Sequence, residues 1–367
     1  MEFIDQIKER VEIVKDFLKI GPRHFVGIDI GQSAIRFAEV KHTKNGPYIV
    51  NFHYEALPEA ALIEDEIQKP DEIVEVIKKG LDESGIKANF AIIGLFGHNV
   101  VSKRLQLAGG TPEDIDDQIN WEGDQYFPFS MDQCSYGFHV FGENQAGGVD
   151  VFVGASRTDI LENFKNLVEQ AGLKVKIVDL DNVAFSNVFE QVYKDELKAS
   201  KDTYLLLDLG AQKTGFIIYK NGGISFSKEI NIGGVIITEE IQRRMGVSYF
   251  EAEDLKMNGD EEGNLPEEVL DIMDEIVEAF FKEIKKTVDF YISSTGEEDL
   301  NKCILTGGNT LIPNLAESLS ELIEMDVEIL DPLEYFQYDE DLDEDIIDEI
   351  RYRGVVALGL ALRTPKE

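Results

Sequence analysis

Positive charge, long apolar runs and cysteine are all scarce in this 367-residue chain. Lysine and arginine number 35 against 72 aspartates and glutamates, a formal net charge of −37. A nucleic acid backbone would be repelled by that balance, and no basic stripe reverses it locally, so nucleic acid is excluded as a partner. The same charge favours a basic peptide or a cationic protein face. No apolar run reaches the roughly 18 residues that a membrane-spanning helix needs. The charged opening MEFIDQIKERVEIVKDF has no apolar core of the kind a secretory signal carries. A cytoplasmic protein without a span of its own is therefore expected. Cys134 and Cys303 are far apart with no CxxC spacing, which suits reduced packing thiols and not a disulfide framework or a zinc site. Neither a GxxxxGK[ST] loop nor a pair of catalytic histidines appears.

A hydrophobic fraction of 43% does supply packed cores, enough for two or three domains. Residues 1–22 read as an N-terminal amphipathic helix with Phe3, Ile4, Ile7, Val11, Val14 and Phe17 on one face, ended by Gly21-Pro22. Its polar face mixes both signs of charge, so it is expected to pack on the body or on a partner, not to lie on anionic lipid. The densest acidic segment, residues 339–349, reads as a solvated surface, with a docking face as the alternative.

The most informative pattern occurs twice. Residues 27–41 carry Asp29 and Gly31 in an apolar strand, a tight glycine turn and a second strand, followed by Asn45-Gly46 and a third strand. The same grammar returns 179 positions later with Asp208 and Gly210, followed by Asn221-Gly222 and another strand. So wide a spacing implies a duplicated domain, each half presenting an Asp-x-Gly hairpin. Glycine at a hairpin tip lets backbone N–H groups approach phosphate oxygens, and a carboxylate two residues earlier can hold a hydrated magnesium ion beside them. One such hairpin is only a tight turn; two facing lobes with equivalent hairpins can clamp magnesium triphosphate from both sides.

Three further features fit that picture. Thr306-Gly307-Gly308 at the end of an apolar strand offers a small-residue surface for a base or an α-phosphate, with a helix opening at Asn309. Glu253 and Lys256, three residues apart on a helix beginning near Tyr249, can reach ribose and base edge, or form a surface ion pair. Gly233-Gly234 either touches ribose or phosphate or simply connects a strand to a helix. Between the hairpins, residues 98–172 read as an inserted α/β subdomain, with helices opened by Thr111-Pro112 and by Thr158.

In this order, the pieces resemble the actin and hexokinase superfamily: an α/β, actin-like (ribonuclease H-like) duplicated two-lobe ATPase fold with an inserted subdomain in the first lobe. Residues 229–241 (EINIGGVIITEEI), 251–256 (EAEDLK) and 118–129 (QINWEGDQYFPF) are similar to the PilM family of type IV pilus assembly proteins. The resemblance implies a first lobe over 23–97 and 173–200, and a second lobe over 201–362. It implies ATP and magnesium, with Asp29 and Asp208 positioning the metal through water. Gly31, Gln32, Ser33, Gly210, Ala211 and Thr214 would surround phosphates, and Glu253, Lys256, Gly307 and Gly308 would hold the nucleoside. It also implies an adaptor that binds the cytoplasmic N-terminal segment of a PilN-like membrane protein, joins other pilus assembly components and sits at the inner membrane through them. Gln32 stands where a small hydroxyl residue is common, and Asn309 where a third glycine is frequent. No water-activating base is assignable, so hydrolysis is expected to be slow at most. An FtsA-like cell-division protein, which ordinarily ends in a basic amphipathic helix, and a small-molecule kinase, which needs a base facing a sugar pocket, are the rival readings.

Overall fold

The computed structural model describes residues 25–363 apart from 45, 64, 65, 145, 261, 262 and 298. The expected helix over 1–22, Asn45 of the first turn and the last four residues lie outside the described residues.

Phe25–Ile30 (β1) is buried from Val26 onward, as a strand covered on both faces must be. It turns at Gly31 into Ala34–Thr43 (β2), which returns through Gly46–Ala56 (β3), all antiparallel, with Asp29 opposite Arg36. Pro70–Ser84 (α1) crosses to Phe90–Leu95 (β4), parallel to β1. The chain then leaves this sheet. Val100–Leu107 (β5), Pro112–Tyr126 (α2), Cys134–Glu143 (β6) and Val149–Arg157 (β7) build a separate antiparallel sheet in the order β5-β7-β6. Ile115 and Ile119 of α2 pack there with Leu105, Leu107, Val151 and Val153. Thr158–Gln170 (α3) and Lys174–Leu180 (β8) complete the first sheet, ordered β8-β4-β1-β2-β3.

Asp181–Val192 (α4) and Lys194–Ala199 (α5) lead into the second half. Tyr204–Leu209 (β9), Thr214–Lys220 (β10) and Gly223–Ile230 (β11) repeat the antiparallel meander. Val235–Met245 (α6), Tyr249–Asn258 (α7) and the long Glu267–Thr295 (α8) follow. Lys302–Thr306 (β12), Leu315–Ile323 (α9) and Asp326–Ile329 (β13) extend the sheet in parallel, giving β11-β10-β9-β12-β13. Strand for strand and direction for direction, the two sheets are the same object, which is the duplication that the paired hairpins announce.

That repeat also defines the insert. In the second half β12 passes through α9 straight to β13, whereas in the first half the three-stranded sheet intervenes between β4 and α3. The sequence reading put α3 inside the insert. Its apolar face of Phe164, Leu167 and Val168 instead packs with Val26, Ile28, Ile77 and Ile93, so α3 is the first lobe's own crossover helix, the counterpart of α9. Periodicity identifies an apolar face without saying which core receives it.

The chain closes through Glu344–Arg353 (α10) and Val355–Ala361 (α11). Although α11 follows the second lobe in sequence, it packs against β1 and α4. A Cβ at Gly359 would lie 2.0 Å from the Ala184 carbonyl oxygen, so only glycine permits that approach. No helix of the described residues is long and apolar enough to cross a membrane.

Candidate functional site

The two glycine hairpins meet across the cleft between the lobes. Gln32 Oε1 at the first tip accepts the backbone N–H of Gln212 at the second, 3.2 Å away, and Gln212 Nε2 donates to the Leu62 carbonyl at 3.4 Å. The Gly210 N–H is satisfied within its own turn by the Lys213 and Asp208 carbonyls. Ser33 is exposed beside Gln32, and its carbonyl accepts the Leu57 N–H. Lys213 pairs with Glu229 at 3.0 Å, and Glu229 also accepts the Gly97 N–H, so the second hairpin is tied to the root of the insert.

Three carboxylates converge behind these tips. Burial pushes Asp29 up to about 6, with the nearby Glu349 adding to the effect and the Arg36 guanidinium opposing it. Asp208 is pushed up to about 6 as well, by burial and then by the negative charge of Asp29. Asp181, the first residue of α4, is raised further by burial and by Asp29 and Asp208 together. Its Oδ1 is buried without a hydrogen-bond partner. Negative charge crowded against an orphaned acceptor is what a hard cation relieves, and carboxylate oxygens are the donors magnesium takes. The only group among the described residues with three ligand atoms within 4.8 Å of one another is elsewhere: His53, Glu55 and Glu83 on β3 and α1, where Lys79 lies 2.7 Å from Glu55. Asp29, Asp181 and Asp208 do not form such a group.

Directly beside the second hairpin, Gly307 adopts φ +96°, and a Cβ there would come within 2.6 Å of Asp208 Oδ1, so this glycine lets the Asp208 carboxylate pass. Its N–H donates to the Tyr352 carbonyl at 3.0 Å, and Gly308 lies against the Arg353 side chain. No α-helix opens at Asn309, contrary to the sequence reading. Gly308–Leu311 forms one 3-10 turn, and α9 starts only at Leu315, beyond Pro313. A helix N-terminus is thus not what Gly307 and Gly308 offer. Asn309 instead braces the second hairpin, its Nδ2 donating to the carbonyls of Leu209 and Gly210 at 3.0 and 2.6 Å.

Glu253 and Lys256 share one hydroxyl. Lys256 Nζ lies 2.7 Å from Glu253 Oε2 and 2.9 Å from Thr238 Oγ1, which itself donates to Glu253. Burial lowers the Lys256 pKa against the pull of Glu253. Gly233 and Gly234 press on the second hairpin: a Cβ at Gly233 would lie 2.4 Å from the Ala211 carbonyl oxygen. The carbonyls of Gly210 and Ala211 accept the N–H groups of Gly234 and Val235, which caps α6. Thr214 is the residue the structure removes from the expected set. It is fully buried, and its hydroxyl donates to the Ile232 carbonyl at 2.9 Å, holding β10 to the end of β11.

Four residues escaped the sequence reading. Asp181 is one. The others form a buried chain in which Arg36 lies 3.8 Å from Asp29, Arg36 Nε donates to Glu349 at 2.8 Å, and Arg353 donates to the other Glu349 oxygen at 2.6 Å. The hairpin register, which sets Arg36 opposite Asp29, was a usable signal for Arg36. Glu349 closes the acidic segment 339–349 that reads as a solvated surface, yet it is buried; it lies 313 positions from Arg36, and no local pattern reports that distance.

Two repeated sheets with facing Asp-x-Gly hairpins define the class: a two-lobe actin-like fold with a subdomain inserted between β4 and α3. Comparisons with known proteins agree with it. The family model for type IV pilus assembly protein PilM matches residues 27–365, and the chain belongs to that family. A solved PilM-PilN type IV pilus biogenesis complex superposes with a TM-score of 0.81 at 22% identity, over 94% of this chain and 100% of that one. The ethanolamine utilization protein EutJ from Carboxydothermus hydrogenoformans gives a TM-score of 0.56 at 14% identity, over 93% and 90%. Cell division protein FtsA of Bacillus subtilis is 25% identical over 194 residues, 47% of this chain and 42% of that protein. FtsA of Streptococcus pneumoniae is 25% identical over 191 residues, 47% and 41%. The chain thus matches less than half the length of these curated relatives.

Proposed function

We propose that this protein is an ATP-loaded adaptor of the type IV pilus inner-membrane assembly complex, cytoplasmic and held at the membrane through its partners. The observation that carries the nucleotide half of this reading is the convergence of Asp29, Asp208 and the unpartnered Asp181 behind two hairpin tips joined by Gln32 and Gln212. Gly31, Gln32 and Ser33 on one side, and Gly210 and Ala211 on the other, would lie against the triphosphate. Glu253, Lys256, Gly307 and Gly308 would hold the nucleoside. Asp29, Asp181 and Asp208 would hold magnesium through its water shell. When bound, the ion supplies positive charge that offsets both the triphosphate and these carboxylates. We assign no water-activating residue, and hydrolysis is expected to be slow.

The adaptor half is supported by membership of the PilM family and by the likeness to a structure described as a PilM-PilN complex. By this reading a PilN-like membrane protein supplies a cytoplasmic N-terminal segment that binds beside the insert, and other assembly components follow through it. The insert is well placed to sense the cleft. Ser102 Oγ on β5 lies 2.5 Å from Ser227 Oγ on β11 and accepts Asn182 Nδ2 at 2.7 Å, one residue from Asp181. Nucleotide that draws the lobes together would then shape the peptide site, provided the peptide binds the closed state better. The test is calorimetric titration of that N-terminal peptide into the protein with and without magnesium ATP. Tighter binding with nucleotide supports the coupled adaptor; equal binding removes the coupling, and no binding in either state removes the partner.

A further inference from the structure

The chain has a single tryptophan, and it is not in a core. Trp121, on α2 of the insert, is 90% exposed. Indole is costly to leave in water, and tryptophan is among the residues most enriched where proteins grip one another. What surrounds it has a uniform sign. Residues 112–126 carry Glu113, Asp114, Asp116, Asp117, Glu122 and Asp124 and no lysine or arginine, and none of the six pairs with a cation among the described residues. Asp116 and Glu122 are turned to Tyr136 and Tyr126, Asp114 caps the helix through Thr111, and Asp124 accepts the Met131 N–H through one oxygen at 3.2 Å. Glu113, Asp117 and Trp121 stand at four-residue steps and so form one row along the outer face, with Asp124 a turn beyond. All four are exposed, while Ile115, Ile119 and Gly123 on the opposite face are buried against the insert's sheet.

We propose that the outer face of α2 is a docking surface for a basic, partly apolar segment of another protein, with Trp121 as the anchor and Glu113, Asp117 and Asp124 as its charged rim. Charge selects the occupant. A second copy of this chain would bring another −37 to a surface that is already acidic, and an anionic membrane would be repelled in the same way. A cationic segment gains both steered encounter and the carboxylate contacts, while its apolar side covers the indole. This surface lies outside the cleft and makes no use of the hairpins, so the inference stands whether or not nucleotide binds.

Since no other tryptophan contributes, emission excited selectively in tryptophan, beyond the absorption of the 12 tyrosines, reports on this face alone. The probe is a labelled peptide of lysine and leucine, with a glutamate and leucine peptide as counterpart, titrated into the full-length protein. The lysine peptide is expected to shift Trp121 emission to the blue with saturation, and the glutamate peptide to leave it unchanged. By anisotropy of the label, Trp121→Ala should weaken binding by roughly thirtyfold, the size of a hot-spot truncation. Glu113→Lys with Asp117→Lys should weaken it too. Reversal of the same two charges at the exposed Glu340 and Asp341 should not. Equal loss from both reversals, with no emission shift, would mean attraction to net charge alone and would overturn the proposal. So would an emission shift that follows protein concentration without peptide, which would make the occupant a second copy, or one that follows anionic vesicles.

Discussion

The side-chain oxygen of Gln32 accepts the backbone N–H of Gln212, so the tips of two hairpins 180 residues apart in sequence hold each other across the cleft. Where a small hydroxyl residue would leave the tips separate, glutamine spans the gap. Gln32→Ala removes that span and favours the open arrangement of the lobes. One hydrogen bond contributes about 1 kcal/mol, so apparent nucleotide affinity should fall by roughly fivefold. Gln212→Ala, which keeps the N–H, should change it less. Titration with a fluorescent ATP analogue compares the two.

Asp208 makes the nucleotide-free protein sensitive to pH in a defined direction. Its folded-state pKa of about 6 stands above the ordinary 3.8, so the group favours the fold at low pH and ceases to do so as pH rises from 3.8 through 6. Asp208→Asn never ionises. Without nucleotide or magnesium, the variant should be the more stable at pH 8, by at most about 3 kcal/mol, and its advantage should shrink by about half at pH 5. Urea unfolding at the two pH values measures this. An advantage independent of pH would contradict the assigned burial of the charge.

Glu349 is 3% exposed between two guanidiniums, Arg36 and Arg353, and Arg36 in turn faces Asp29. Glu349→Gln keeps the shape and removes the charge, leaving two partly buried cations with one distant carboxylate. A loss of about 3 kcal/mol in unfolding free energy is expected. Reading the same variant for magnesium dependence of nucleotide binding would show whether the disturbance reaches Asp29.

Asn309→Gly would restore the third glycine common in such loops and would be expected to harm this protein. Both bonds from Nδ2 to the Leu209 and Gly210 carbonyls disappear, and glycine adds backbone freedom to the unfolded chain. About 2 kcal/mol of stability should be lost. Chemical denaturation of the nucleotide-free protein is the measurement.

Local chemistry made part of this site readable in advance. Asp29, Gly31, Asp208 and Gly210 lie in strand-turn-strand patterns whose repetition shows in the sequence, and the two sheets repeat them. Glu253 and Lys256 are helix neighbours three residues apart, and they meet as an ion pair, the alternative that the sequence leaves open beside a nucleoside contact. Thr214 departs from expectation because the resemblance carries a residue over by position without telling which way its strand side chain points. Asp181 was missed because a carboxylate at the head of a helix looks like an ordinary first-turn acid; only the packing that brings α4 behind both hairpins leaves its oxygen without a partner. The return of α11 to β1 was hidden for a related reason, since Val355–Ala361 is buried throughout and an apolar run names no particular sheet.

The central claim is a magnesium nucleotide clamped between paired hairpins, and calorimetry with ATP tests it most directly. Wild-type protein, Asp208→Ala and Asp181→Asn should each be titrated with and without magnesium, with phosphate release followed in the same samples. The account predicts one saturable site in wild type that tightens with magnesium, little turnover, and loss of the magnesium effect in both variants. No saturable binding by the wild-type protein, or binding that ignores magnesium and both aspartates, would contradict it.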